Sequence, residues 1–169
     1  MSDVERFRSL SDPRPDAVAW PLVVWPPAAD AVLENEFLRL GPSQVEDAAE
    51  LFAALDDAAV WAHVAGRPRD AAGMAALIEW KRAERGWFPW TVRLNQPLAG
   101  FEAGAIVGTS SYLETSPNDA RTEIGSTTYA PAVWGSWVNP AAKLLLLEHA
   151  FEVLGMSRVQ LKTDVRNQR

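Results

Sequence analysis

The stretch Tyr129-Ala-Pro-Ala-Val-Trp-Gly-Ser-Trp-Val-Asn-Pro-Ala-Ala-Lys143 holds the residues whose types and order can do chemistry. It follows an alternating, strand-like run and leads through a glycine-containing loop into a leucine-rich segment, Leu144 to Leu147. Asn139 is expected to cap a helix there, with Pro140 at its first position, where the missing N–H would be unpaired in any case. Such a loop and helix start would direct several unpaired N–H groups and the positive helix end at one point, which suits a pyrophosphate. The same residues also fit an ordinary strand-to-helix connection that binds nothing, or a phosphate binder of unrelated kind.

Other chemistries find little material. The chain has no cysteine, which removes disulfides, thiol catalysis and the common zinc and iron–sulfur ligand sets. Its two histidines, His63 and His149, fall in different predicted elements, and no carboxylate spacing suggests a metal site. A formal charge of -6 argues against binding to nucleic acid phosphates. No apolar run reaches the roughly 20 residues of a membrane span, and the start, MSDVERFRSL, lacks an apolar signal core. A cytoplasmic protein using a diffusible co-substrate is the expectation.

The elements that must position the loop follow from periodicity. At 169 residues, 48% of them apolar, the chain is one domain's worth of sequence. Residues 1–32 form a proline-rich arm: Pro13, Pro15, Pro21, Pro26 and Pro27 forbid a long helix, while Trp20, Val23, Val24 and Trp25 call for packing on the domain or on a partner. Residues 33–40 read as a first strand. Ser43 and Glu46 match a capping box for a helix with Val45, Ala48, Ala49, Phe52 and Leu55 on one stripe. A second helix is predicted from Asp70 to Arg85, with Met74, Leu77, Ile78 and Lys81 inward and Gly86 at its C-cap. Strands follow at 90–94, 104–113 and 121–129, then a helix from Pro140 to Leu154 and a strand over Arg158–Asp164. A strand-helix-strand finish implies a parallel pair joined by a crossover.

The run from Ile106 to Gln168 resembles the GNAT superfamily, in particular the ribosomal-protein-type N-acetyltransferases related to the RimJ and RimL enzymes. The matching pieces are Ile106-Val-Gly-Thr-Ser-Ser-Tyr-Leu113, Glu123-Ile-Gly125, Tyr129-Ala-Pro131, Trp134-Gly135, Val138-Asn139, Ala142–Leu147, His149-Ala-Phe-Glu152, Leu154-Gly155, Arg158-Val159 and Lys162-Thr-Asp164 with Asn167. The resemblance implies an α/β (α+β) fold with a mixed, mostly antiparallel sheet and flanking helices, occupying residues 33–169. It implies acetyl-CoA as co-substrate and a primary amine, a protein N-terminus or a small amine, as acceptor. It assigns the pantetheine arm to the strand bearing Ser126, Thr127 and Thr128. The pyrophosphate goes to the loop and helix start at Val133, Trp134, Gly135, Ser136, Trp137, Val138, Asn139 and Lys143, with Asn167 reaching the pantetheine. Transfer would be direct, with a backbone N–H on the developing oxyanion and a carboxylate removing a proton. Glu123 is the expected base, and His63, in the loop that lines the acceptor side, is the second candidate. His149, inside a buried helix, is expected to be structural.

Two features depart from the family pattern. Trp137 stands where glycine or alanine lets the backbone approach the phosphates, so it either blocks the site or swings away. The sequence also stops at Arg169, where the family continues with a helix and a strand, so the domain is expected to be incomplete at its C-terminal end. An uncovered sheet edge and an apolar arm would then invite a homodimer. The second reading, beside acetyl transfer, is a non-catalytic GNAT-fold binding or assembly module. Trp80, Trp87 and Trp90 fit core packing or an aromatic acceptor pocket.

Overall fold

The computed structural model describes residues 22–165. The segment expected as one strand over 33–40 is a tight hairpin, β1 (Leu33–Glu34) and β2 (Leu38–Pro42). Asn35 causes the reversal: its Oδ1 accepts from the N–H groups of Phe37 and Leu38, each at 2.9 Å, the local side-chain bond that makes Asn a turn residue. A 3₁₀ turn, Val45–Asp47, leads into α1 (Ala48–Leu55).

The capping box sits one residue later than Ser43 and Glu46 predicted. Asp47 Oδ2 accepts from the Gln44 N–H at 3.0 Å, whereas Ser43 is buried and receives a hydrogen bond from Thr91. The shifted start turns Val45 and Ala49 to solvent and buries Ala48, Leu51 and Leu55. Helix α2 (Ala71–Ala83) is capped by Asp70, whose carboxylate accepts from the Gly73 N–H at 2.7 Å. It buries Met74, Ile78 and Lys81 as predicted but leaves Leu77 half-buried, and it ends before Arg85. These helices share an apolar cluster with Ile106 on one face of the sheet.

The sheet continues with β3 (Phe88–Leu94), β4 (Ile106–Ser116), β5 (Arg121–Tyr129) and β6 (Arg158–Gln160), in sequential order. Every neighbouring pair is antiparallel except β5 and β6, which run parallel, as the strand-helix-strand finish requires. The connecting helix α3 (Val138–Glu148) covers the other face, where Leu38, Trp90, Tyr112, Ile124, Val138 and Leu146 form the main core. This is the mixed, mostly antiparallel α/β (α+β) sheet with flanking helices that the sequence led us to expect.

Helix α3 begins at Val138 with Trp137 as its N-cap, so Asn139 is not the cap but an exposed residue of the first turn. Pro140 tolerates this because a first-turn residue has no intrahelical N–H bond to lose. The helix does not run regularly to Leu154: it widens into a π turn over His149–Val153. The Tyr112 hydroxyl takes the Leu146 carbonyl at 2.6 Å, and the His149 N–H is shared between the Leu145 and Leu146 carbonyls. Of the arm, residues 22–32 are described. The Val24 N–H donates to the Leu154 carbonyl at 3.0 Å, and Trp25 meets Phe88 and Tyr112 edge-on. Pro13, Pro15, Trp20 and Pro21 lie outside the described residues.

The last strand is shorter than the predicted Arg158–Asp164. It pairs with β5 only across Arg121, Thr122 and Glu123. Beyond Glu123 the two strands part, Leu161 stands in solvent, and the free edge of β5 from Ile124 onward borders a cleft.

Candidate active site

The parting of β5 from β6 opens a cleft of about 450 Å³. Its long wall is β5 from Ile124 to Tyr129, its end is the loop from Val133 to Ser136 with Asn139, and Val60, His63 and Val64 face them. Leu161 to Asp164 form the remaining side.

A β-bulge shapes the long wall. Register slips between Thr109 and Ser111 of β4, so Ser126 and Thr127 together oppose Ser110, and Ser126 takes a positive φ of 46°. Close approach of the strands beside the bulge requires Gly108, because a Cβ there would lie 2.2 Å from the Thr128 carbonyl oxygen. The bulge turns the Thr127 side chain toward α3. Lys143 Nζ donates to Thr127 Oγ1 at 2.8 Å and to Ser110 Oγ at 3.3 Å, and those two hydroxyls are 2.8 Å apart. Burial pushes the Lys143 ammonium down to about 8.

The loop is held by its own side chains. Trp134 Nε1 donates to the Tyr129 carbonyl at 2.8 Å, and Ser136 Oγ donates to the Val133 carbonyl at 2.6 Å while accepting from the Val138 N–H at 3.3 Å. Gly135 supplies a positive φ of 69° for the turn. The backbone N–H groups of Gly135, Trp137 and Asn139 have no acceptor among the described residues. With the helix dipole behind them, they form a donor cluster suited to an anion. Trp137 does not intrude. Its ring packs on Phe37, with centroids 5.0 Å apart, and it is absent from the cleft wall, as is fully buried Val138.

Ser126, Thr127, Thr128, Val133, Trp134, Gly135, Ser136, Asn139 and Lys143 therefore meet at one cleft, while Trp137 and Val138 support it from behind. Asn167 lies outside the described residues. His63 is exposed on the wall facing β5. Glu123 is at the fork where the strands separate, but it is buried and not part of the cleft wall. Its Oε2 accepts from Gln160 Nε2 at 2.8 Å and lies 2.7 Å from Lys162 Nζ. Lys162 also reaches Glu114 Oε2 at 3.1 Å. The bond to Glu123, and then that to Glu114, raises the Lys162 pKa.

Sequence reasoning missed Lys162, Asp164 and Ser110 as neighbours of the site. Lys162 carries no local signal of its role, since its partners lie on strands 39 and 48 residues away in sequence. His149 is buried, with Nδ1 3.2 Å from the Tyr112 hydroxyl, and burial lowers its pKa. Trp90 is in the core, and Trp80 and Trp87 pack edge-on at 5.3 Å away from the cleft. No group of three acidic or histidine side chains able to hold a metal occurs among the described residues, and no described helix is long and apolar enough to cross a membrane.

A sheet forked between parallel strands, with a bulged free edge leading to an N–H-rich helix start, defines an acyltransferase-type architecture. A family model described as an acetyltransferase (GNAT) domain matches residues 38–169. The chain belongs to the GNAT acetyltransferase family. A crystal structure from T. thermophilus, described as an acetyltransferase, is 30% identical, covering 84% of this chain and 71% of that one with a TM-score of 0.70. A GNAT-family structure from Chromobacterium violaceum ATCC 12472 shares the fold at 23% identity, covering 95% and 78% with a TM-score of 0.75. A Vibrio cholerae structure described as a ribosomal-protein-serine acetyltransferase shares it at 16% identity, covering 82% and 77% with a TM-score of 0.66. No curated protein is matched by the sequence.

Proposed function

We propose that this chain is an acyl-CoA-dependent N-acetyltransferase whose acceptor is a primary amine, either a protein N-terminus or a small amine. The observation that carries the reading is the cleft itself: a bulged strand edge with free length leads to unpaired N–H groups at a helix start. The donors fit the group. Gly135 and Asn139 would hold the pyrophosphate through backbone N–H groups, with Ser136 beside them and Trp137 behind the loop. Ser126, Thr127 and Thr128 would run along the pantetheine. Lys143, one turn further along α3 and bonded to Thr127, would lie beside the pantetheine, and Asn167 is a further pantetheine contact by family resemblance. Bound acetyl-CoA supplies an activated acyl thioester.

The chain's own part is to orient and to move a proton. The free edge of β5 lines up the acceptor nitrogen with the acyl carbon, and its backbone N–H groups stabilise negative charge on the acyl oxygen. Glu123 removes the proton from the acceptor ammonium, Lys162 holding its carboxylate at the fork; a water bridges the buried carboxylate to the cleft. His63, on the opposite wall, is the second proton acceptor.

A second reading has one observation in its favour. Glu123 is already engaged by Gln160 and Lys162 and does not reach the cleft wall, which suits a GNAT-fold binding module without turnover. Isothermal titration with acetyl-CoA, followed by thiol release in the presence of a panel of amines, separates the two. Binding with amine-dependent thiol release supports the transferase; binding with none supports the module; absence of binding overturns both uses of the cleft.

A further inference from the structure

Glu123 is tied through one oxygen only. Its Oε2 accepts from Gln160 Nε2 at 2.8 Å and lies 2.7 Å from Lys162 Nζ, while its Oε1 has no hydrogen-bond partner among the described residues. That second oxygen leans along β5. A Cβ added at Gly125 would lie 3.1 Å from Glu123 Oε1 and 3.1 Å from Leu113 Cδ2. Ile124, between Glu123 and Gly125, turns the other way into the core beneath α3, as the two-residue period of a strand requires. Glu123 and Gly125 therefore share one face of β5.

Gly125 is where that face meets the cleft. Glu123 is absent from the cleft wall, whereas Gly125 is half-buried and part of it, just beyond the last pair that joins β5 to β6. The backbone does not demand glycine here. Gly125 pairs with Ser111 in the β4–β5 ladder and, unlike Gly135, has no positive φ. What a side chain would change is the layer between Oε1 and the cleft. Its absence leaves the oxygen open to a proton donor in the cleft, directly or through one water.

We infer that Glu123 Oε1 is the oxygen that takes the acceptor's proton, and that Gly125 is a positioning residue that keeps the path from the cleft to Oε1 open. The inference rests on the transferase reading above, with Glu123 as its base, and adds the route. The acceptor ammonium gives one proton to Oε1, which later passes to water. The freed nitrogen bonds to the thioester carbon, the carbon–sulfur bond breaks, and the second proton shed by the nitrogen ends on the thiolate.

A double-mutant cycle on turnover tests it, with wild type, Gly125→Ala, Glu123→Gln and the double variant. Acetyl-CoA and the amine panel above are the probes, n-propylamine and trialanine among them. Gly125→Ala is expected to lower kcat about tenfold through misplacement of the carboxylate, with acetyl-CoA affinity changed less than about twofold. In the Glu123→Gln chain the same methyl should cost nothing further, because the oxygen it obstructs no longer works as a base. Gly41→Ala, on β2 with nothing within 4 Å of the added Cβ, should keep wild-type turnover. Leu113→Val in the Gly125→Ala chain makes room on the leucine side only, and turnover should stay low. Wild-type turnover by Gly125→Ala overturns the inference alone. So does an equal loss in both backgrounds, or recovery with Leu113→Val, since either marks packing as the cause. No thiol release by wild type with any amine overturns the transferase reading and this inference with it.

Discussion

Lys162 Nζ lies 2.7 Å from Glu123 Oε2 across the fork where β5 and β6 stop pairing, joining the buried carboxylate to the cleft wall. This ammonium and the Gln160 amide together hold the carboxylate in place. Glu123→Gln removes the basic oxygen and retains the volume. Turnover is expected to fall at least about a hundredfold, with acetyl-CoA affinity changed less than twofold. Steady-state kinetics beside titration calorimetry check this, and unchanged turnover would remove Glu123 as the base.

Lys143 links stability to pH. Its pKa falls from 10.5 in the unfolded chain to about 8 in the fold. Below pH 8 both states hold the proton and the folded state bears the whole burial cost. Between pH 8 and 10.5 the unfolded state binds more protons, so stability rises with pH through that window. Lys143→Met is therefore expected to raise the Tm at pH 7 by a few degrees, on the order of 1–2 kcal/mol. The advantage should shrink as pH climbs from 8 toward 10.5, which thermal melts across that range would show.

Trp137 supports the loop from outside the cleft. Trp137→Gly deletes its contact with Phe37. A loss of about 2–3 kcal/mol in denaturant unfolding is expected, with acetyl-CoA affinity unchanged or weaker. Tighter binding by the glycine variant would show that the tryptophan obstructs the site.

Gly108 sets the bulge. A methyl group there would meet the Thr128 carbonyl oxygen at 2.2 Å, and backbone on that side cannot yield without moving β5. Gly108→Ala is expected to lower stability by about 2–3 kcal/mol and to weaken acetyl-CoA binding at least about tenfold in titration calorimetry, because Thr127 and the strand edge shift together.

Tyr112 anchors the π turn. Tyr112→Phe removes the bond to the Leu146 carbonyl and the partner of His149 Nδ1, both buried. Unfolding in urea should register a loss of about 1–2 kcal/mol, with little change in ligand affinity, since neither residue lines the cleft.

Much of the architecture was legible because its signals are local. The inward set Met74, Ile78 and Lys81, the start of α2 at Asp70 and the β-branched run from Ile106 show in residue spacing alone. Reading failed where one side-chain bond overrode a pattern. Asn35 folds a strand-like run into a hairpin, Asp47 takes over the cap from Ser43, and Tyr112 disturbs the end of α3. An alternation over Arg158–Asp164 predicts a longer strand, yet a strand lasts only as long as its neighbour stays beside it, and β5 departs after Glu123.

By itself the sequence determined the order of elements, the glycine loop before a buried helix and the family to which the chain belongs, because periodicity, turn residues and motif spacing act over short stretches of chain. Only the tertiary structure decided that Trp137 turns to Phe37 and leaves the cleft open, that Glu123 meets Lys162, and that Lys143 reaches the hydroxyls of Thr127 and Ser110 at the bulge. Those are contacts between distant segments. They depend on a three-residue parallel pairing and a one-residue bulge, and no local pattern encodes where two strands part.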